Sequence, residues 1–112
     1  MTPAAALRTV KVLHTIAWAA LVLVIALVPV SAWRGDFGQA AVLTAIMFVE
    51  IAVLVANGMK CPLTTIAARY TDDRRDNFDI YLPLWLATYN KRIFGTLFVL
   101  GLAFAALRWF TR

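Results

Sequence analysis

Glu50, His14 and Cys61 are the side chains of this sequence best suited to chemistry. Glu50 stands inside an apolar run. A carboxylate in that setting must face a partner, line a cavity or stay protonated. Its functional interpretation is a proton relay or a polar anchor for a ligand headgroup. Its structural interpretation is an interhelical hydrogen bond, worth roughly 0.6 to 2 kcal/mol in a membrane protein. For Glu50 both interpretations stay open, whereas for His14 alone the structural one is favoured.

Helical spacing relates these residues to one another. Glu50, Leu54, Asn57 and Cys61 follow steps of four, three and four, so they form one stripe if helical geometry continues that far. At about 1.5 Å per residue, His14 and Glu50 differ in depth by only a few ångströms across a hairpin. The sequence therefore predicts a contact between His14 and Glu50.

Cys61 follows Lys60 and precedes Pro62, which predicts a position at the start of a helix. A helix start and a neighbouring cation both lower a thiol pKa, as a redox or metal-binding role requires. A lone cysteine is more often a packing residue, and no zinc or iron ligand spacing is present. Haem with two axial histidines would need two chains, because there is one histidine.

Composition predicts an integral membrane protein. Hydrophobic residues make up 62% of the 112 positions and charged residues 15%, far from the values of soluble domains. The basic residues lie beside apolar spans rather than in a cluster, so we expect a lipid bilayer and no nucleic acid as partner. The sequence contains no phosphate loop, GxSxG or HExxH motif.

The charges cut the chain into apolar segments that predict an all-α membrane protein. Because a bilayer leaves backbone groups no other partner, we expect about three transmembrane helices, near residues 4–30, 39–58 and 92–110. The first apolar run is longer than a signal-peptide core of roughly 7 to 15 residues, which favours a retained helix. The polar segment near residues 61–90 is expected to form an interfacial helical elbow, kinked at Pro83.

The distribution of lysine and arginine predicts the orientation. Eight of the eleven basic residues fall on the side of the N-terminus and residues 60–92, against three on the other side. The positive-inside rule then places the N-terminus and residues 60–92 in the cytoplasm of a multi-pass inner-membrane protein.

The order of a histidine in the first helix, a glutamate in the second, the box Cys61-Pro62-Leu63-Thr64, and Tyr81-Leu82-Pro83 resembles a family of small bacterial membrane proteins of unknown function. The resemblance covers nearly the whole chain and implies membrane helices without an established activity. It implies that His14, Glu50, Cys61, Arg69 and Tyr81 belong to one site. Such proteins often carry a glutamate shortly after the box, whereas Thr65-Ile66-Ala67 follows here.

Three functional hypotheses follow. The first is a subunit of a membrane complex, or a homo-oligomer, without catalysis of its own, because three spans bury little surface alone. The second is a redox or ligand-binding membrane protein that uses Cys61, Glu50 and His14 to bind a quinone, haem or metal. The third is a small oligomeric proton-coupled carrier that uses Glu50.

Overall fold

Four helices connected by short turns and one longer polar stretch make up the protein. A computed structural model describes residues 1–112. The helices are α1 (Pro3–Trp33), α2 (Phe37–Ala56), α3 (Pro62–Ala67) and α4 (Leu84–Thr111). Helices α1, α2 and α4 are long and apolar enough to cross a membrane, and α3 is a single short segment. The prediction of an all-α membrane protein with three spans is confirmed.

Helix α1 starts and ends with identifiable local interactions. The Thr2 hydroxyl accepts a hydrogen bond from the backbone N–H of Ala5, and Pro3 occupies the first helical position, where a missing N–H costs nothing. The helix continues through Pro29 to Trp33, beyond the expected end near residue 30. At that end the Arg108 guanidinium donates a hydrogen bond to the Trp33 carbonyl over 3.0 Å. This carbonyl has no donor within the helix, because the helix ends there.

The turn after α2 changes the direction of the chain. Helix α2 ends at Ala56, where Asn57 is the cap residue, and Gly58 and Met59 both have left-handed backbone angles with φ of 67° and 65°. Helical geometry therefore does not reach Cys61, and the expected stripe from Glu50 to Cys61 is interrupted. The Asn57 amide donates to the Lys60 carbonyl over 2.8 Å and holds this turn.

The last helix begins at Leu84 rather than near residue 92. Pro83 has an extended backbone and stands at the cap position, so it precedes the helix instead of kinking an elbow. Residues 84–90 contain no proline or glycine that would end a helix, and they continue into the membrane span as its first turns. The interfacial part is thus α3 and the stretch from residue 68 to Pro83, here called the connector.

Helix α1 is the central element of the bundle because both α2 and α4 pack against it. Ile25 of α1, Met47 of α2 and Phe98 of α4 form the small apolar core. Gly101 of α4 passes close to α1, where an added Cβ would lie 3.2 Å from Cδ of Pro29. Only 12 of the 112 residues are buried, so most of the apolar surface is left for lipid or for other helices.

Candidate functional site

A polar cluster forms where α1, α3 and the connector meet. Its members are His14 of α1, Thr64 of α3, Asp79 of the connector, and Cys61, which caps α3. Nδ1 of His14 lies 3.1 Å from the backbone oxygen of Asp79 and 3.4 Å from its carboxylate Oδ2. The Thr64 hydroxyl donates to the same Oδ2 atom. One carboxylate thus links three separate parts of the chain.

Asp79 is 5% exposed although it carries a carboxylate. Burial raises the pKa of the Asp79 carboxyl, but its interactions with His14 and Thr64 outweigh burial and hold the pKa below its usual range. An ionised carboxylate is stable in this position because its Oδ2 atom accepts from the Thr64 hydroxyl and lies next to Nδ1 of His14.

Two further contacts tie the connector to α1, both at Tyr81, two residues after Asp79. The backbone N–H of Tyr81 donates to the Thr15 hydroxyl over 3.0 Å. The Lys11 ammonium lies 4.4 Å from the centre of the Tyr81 ring, within the range of a cation–π interaction. Lys11, His14 and Thr15 share the side of α1 that faces the connector, since they are three and four residues apart.

Cys61 is half-buried at the start of α3. Burial raises the pKa of the Cys61 thiol, but the His14 ring and the backbone N–H of Leu63 lower it by more, so the pKa lies below its ordinary value. Pro62 occupies the first position of α3, as the sequence predicts.

Glu50 does not contact His14, so the predicted pair across the hairpin is absent. Nδ1 of His14 contacts the backbone oxygen and the carboxylate of Asp79 instead. Glu50 is half-buried on α2 and forms no hydrogen bond or ion pair within the chain.

The other expected site residues divide between the cluster and its surroundings. Tyr81 joins the cluster through its backbone and ring, whereas Arg69 is exposed and takes no part in these contacts. Asn57 supports the turn before α3 and also donates to the Thr65 hydroxyl over 3.3 Å. No three histidine, cysteine, aspartate or glutamate side chains are grouped in a way that could hold a metal ion.

Sequence reasoning missed Asp79 as a site residue. Asp79 lies in the polar segment of residues 61–90, but it stands between Phe78 and Ile80 in a locally apolar run. A carboxylate with apolar neighbours on both sides must either be exposed by the fold or be paired with hydrogen-bond donors. This sequence feature could have indicated Asp79 as a site residue.

A second polar link lies one turn deeper between α1 and α4. The indole N–H of Trp18 donates to Oδ1 of Asn90 over 2.8 Å. The Trp18 ring also meets Phe94 edge to face, with ring centres 5.7 Å apart. This pair fixes the first turns of α4 against α1 and bounds the polar cluster on the side of the apolar core.

The chain matches no protein-family model, no curated protein and no solved structure.

Proposed function

We propose that this protein is a subunit of a membrane assembly and is held in it through the face of α2 that carries Glu50. The supporting observation is that Glu50 lies within a membrane-spanning helix and has no partner in its own chain. A carboxylate at that place is costly unless another group meets it. A helix from a second chain can supply that group.

The surface of α2 fits this role. Of the most apolar part of α2, 11% is buried within the chain, the same share as in α4 and half of the 22% in α1. The side chains one turn before and after Glu50 on the same face are open to the surroundings: Ile46 is 44% and Val53 38% exposed. Association in a bilayer relies on close packing and on interhelical hydrogen bonds, and this face offers both.

The polar cluster supports the same role by rigidifying the bundle. Because His14, Thr15 and Lys11 hold the connector, the start of α4 is fixed relative to α1. The cluster is then a structural part of the subunit rather than a reaction centre of the assembly.

The orientation belongs to this proposal. With eight of eleven basic residues on the side of the N-terminus and residues 60–92, that side is cytoplasmic, and the protein resides in a bacterial inner membrane. The resemblance of the Cys61-Pro62-Leu63-Thr64 box to small bacterial membrane proteins supports the same location.

Disulfide cross-linking in native membranes tests the interface. In a Cys61→Ser background, Val53→Cys on α2 and Val12→Cys on α1 are matched probes, because Val53 lies one turn from Glu50 on the same face and the parent side chains are 38% and 43% exposed. We expect Val53→Cys to form a cross-linked species and Val12→Cys to remain uncross-linked. Equal cross-linking of both probes, or of neither, would contradict an interface on α2.

The same unpaired carboxylate supports a second candidate, a proton-coupled carrier that works as an oligomer through Glu50. Glu50→Gln separates the two, since glutamine keeps hydrogen-bonding capacity but cannot exchange a proton. An intact assembly with lost proton flux in reconstituted vesicles would favour the carrier. A wild-type assembly that shows no proton flux would contradict the carrier and would support the subunit role.

A further inference from the structure

A shallow groove with a volume of about 450 Å³ runs along one face of α4. Lys91 and Arg92 line the end nearer the connector, Val99 and Leu100 line the other end, and Gly95 lies between them. Gly95 has no side chain to fill the groove, and nothing lies within 4 Å of the position that a Cβ would take there. The groove is therefore cationic at one end, apolar at the other and open in the middle.

Lys91 and Arg92 carry charges that the chain itself does not neutralise. Both side chains are exposed, and neither forms an ion pair. The Asp76 carboxylate accepts a hydrogen bond from Thr88, one turn before Arg92, and forms no ion pair with either cation. Two adjacent cations without a carboxylate partner favour an anionic ligand. The planar guanidinium of arginine can donate two parallel hydrogen bonds to a phosphate group.

The sequence around Arg92 places this cationic end at the boundary of the membrane. No charged residue follows Arg92 until Arg108. Trp85 and Tyr89, in the two turns before it, are 62% and 50% exposed, and the Arg92 guanidinium lies 6.0 Å from the centre of the Tyr89 ring. Exposed tryptophan and tyrosine are typical of the headgroup region of a bilayer. The cationic end of the groove therefore lies at the level of the lipid phosphates.

The apolar end of the groove has the length that an acyl chain needs. Leu100 also lines a second, apolar groove of about 410 Å³ between α1 and α4, which extends to Phe104. Arg92 and Phe104 are roughly 18 Å apart along the helix axis, whereas one leaflet contributes about 15 Å of hydrocarbon. A lipid whose phosphate meets Arg92 can therefore place a chain against α4 through the depth of its leaflet.

We propose that this groove of α4 binds one anionic phospholipid from the leaflet on the side of the connector. The headgroup phosphate contacts Lys91 and Arg92, and one acyl chain passes Gly95 and packs against Val99 and Leu100. A zwitterionic lipid fits the same apolar path, but its own positive group lies next to two cations that have no counter-charge. The subunit role does not depend on this site, because the Glu50 face belongs to α2.

Native mass spectrometry of the full-length protein in detergent micelles, titrated with dioleoylphosphatidylglycerol, tests the proposal. Dioleoylphosphatidylcholine is the matched probe, because it has the same acyl chains and no net charge. We expect one phosphatidylglycerol molecule to bind the wild type about 5- to 25-fold more tightly than phosphatidylcholine, since each of two basic residues near an anionic lipid contributes about a factor of 5. Equal affinities of the two lipids would overturn the proposal.

Substitutions separate the contribution of charge from that of shape. Lys91→Gln and Arg92→Gln should each weaken phosphatidylglycerol binding by about 5-fold and leave phosphatidylcholine binding unchanged. Lys60→Gln removes an exposed cation that does not line the groove and should bind both lipids as the wild type does. Gly95→Leu keeps every cation but fills the open middle, so it should weaken the binding of both lipids. Thermal unfolding in the same micelles shows whether each variant is folded.

Folded Arg92→Gln or Gly95→Leu proteins with wild-type affinity for phosphatidylglycerol would overturn the proposal. So would a Lys60→Gln protein that loses as much affinity as Arg92→Gln, because binding would then follow net charge alone. A helix of another protein is the competing occupant of the groove. Val99 is 62% exposed, and in a Cys61→Ser background Val99→Cys should not cross-link to a second chain in native membranes. A cross-link at this position would show that protein, and not lipid, covers the groove.

Discussion

Nδ1 of His14 lies 3.1 Å from the backbone oxygen of Asp79, although the two residues are 65 positions apart. This contact joins the membrane helix α1 to the connector that leads into α4. It shows that the one histidine of the sequence stabilises the junction between the membrane spans and the polar segment.

Replacement of His14 by alanine should release the connector from α1. The Asp79 carboxylate would lose a donor while still largely buried, which costs about 1 to 3 kcal/mol. Hydrogen exchange of the Tyr81 amide, which is protected by Thr15, should become faster. Thr9→Ala, an exposed change on the same helix, should leave that exchange unchanged. Equal protection of Tyr81 in the His14 variant and in the wild type would show that the contact contributes nothing.

The free energy of unfolding should fall in acid, because the Asp79 carboxylate loses its charge there. Its folded-state pKa lies below the ordinary value of 3.8, so the charged form stabilises the fold. That contribution is complete above about pH 4 and is lost as the pH falls through the folded-state pKa. Thermal unfolding of Asp79→Asn between pH 2 and 7, in steps of about one unit, should therefore show a weaker pH dependence than the wild type.

Asp73→Asn is the control for this effect. The neighbouring Arg75 lowers the pKa of Asp73 to about 2, but both groups are at the surface, where solvent screens their attraction. We expect wild-type pH dependence in this variant. The account of Asp79 would be contradicted if Asp73→Asn flattened the profile and Asp79→Asn did not.

Trp18→Phe should loosen α4 from α1. Phenylalanine keeps an aromatic ring against Phe94 but has no N–H for Asn90, so about 1 kcal/mol of stability should be lost. Trp85→Phe is a matched change, because Trp85 is 62% exposed in the first turn of α4 and forms no hydrogen bond through its indole. Unfolding by a denaturing detergent measures both. A loss in Trp85→Phe as large as in Trp18→Phe would show that the hydrogen bond is not responsible.

Gly101 should tolerate substitution worse than Gly95. A side chain at Gly101 meets Pro29 of α1 at 3.2 Å from its first carbon, whereas nothing lies within 4 Å at Gly95. Gly101→Val should therefore separate α1 from α4 and cost about 1 to 3 kcal/mol. Gly95→Ala should be neutral or slightly stabilising, since alanine favours a helix more than glycine does. Equal unfolding midpoints for the two variants would argue against close packing at Gly101.

The membrane spans could be predicted from the sequence because composition decides them. A long uncharged run has to form a helix in a bilayer whatever its neighbours are, and the turns at Gly35 and Gly58 separate these runs visibly. The start of α4 was placed too late. Lys91 and Arg92 mark where the charges end, but a helix that begins at Leu84 continues through them.

The candidate site was only half predictable. His14 and Cys61 were identified by residue type, and the structure pairs His14 with Asp79 and places Cys61 at the start of α3. Glu50 was predicted as the partner of His14, because residue spacing gives the depth of each of these two residues along its helix. Asp79 reaches His14 through the path of the connector, which has no regular period and so leaves no pattern in the sequence.

The mass of the assembled protein in native-membrane nanodiscs tests the central claim most directly. Native mass spectrometry should show the wild type in a complex heavier than the 12.4 kDa chain. Glu50→Leu should weaken this complex by about 3- to 30-fold, the effect of losing 0.6 to 2 kcal/mol of interhelical hydrogen bonding, while Thr96→Val should preserve it. A wild type that stays a single 12.4 kDa chain, or a Glu50→Leu protein that assembles as the wild type does, would contradict a subunit held through Glu50.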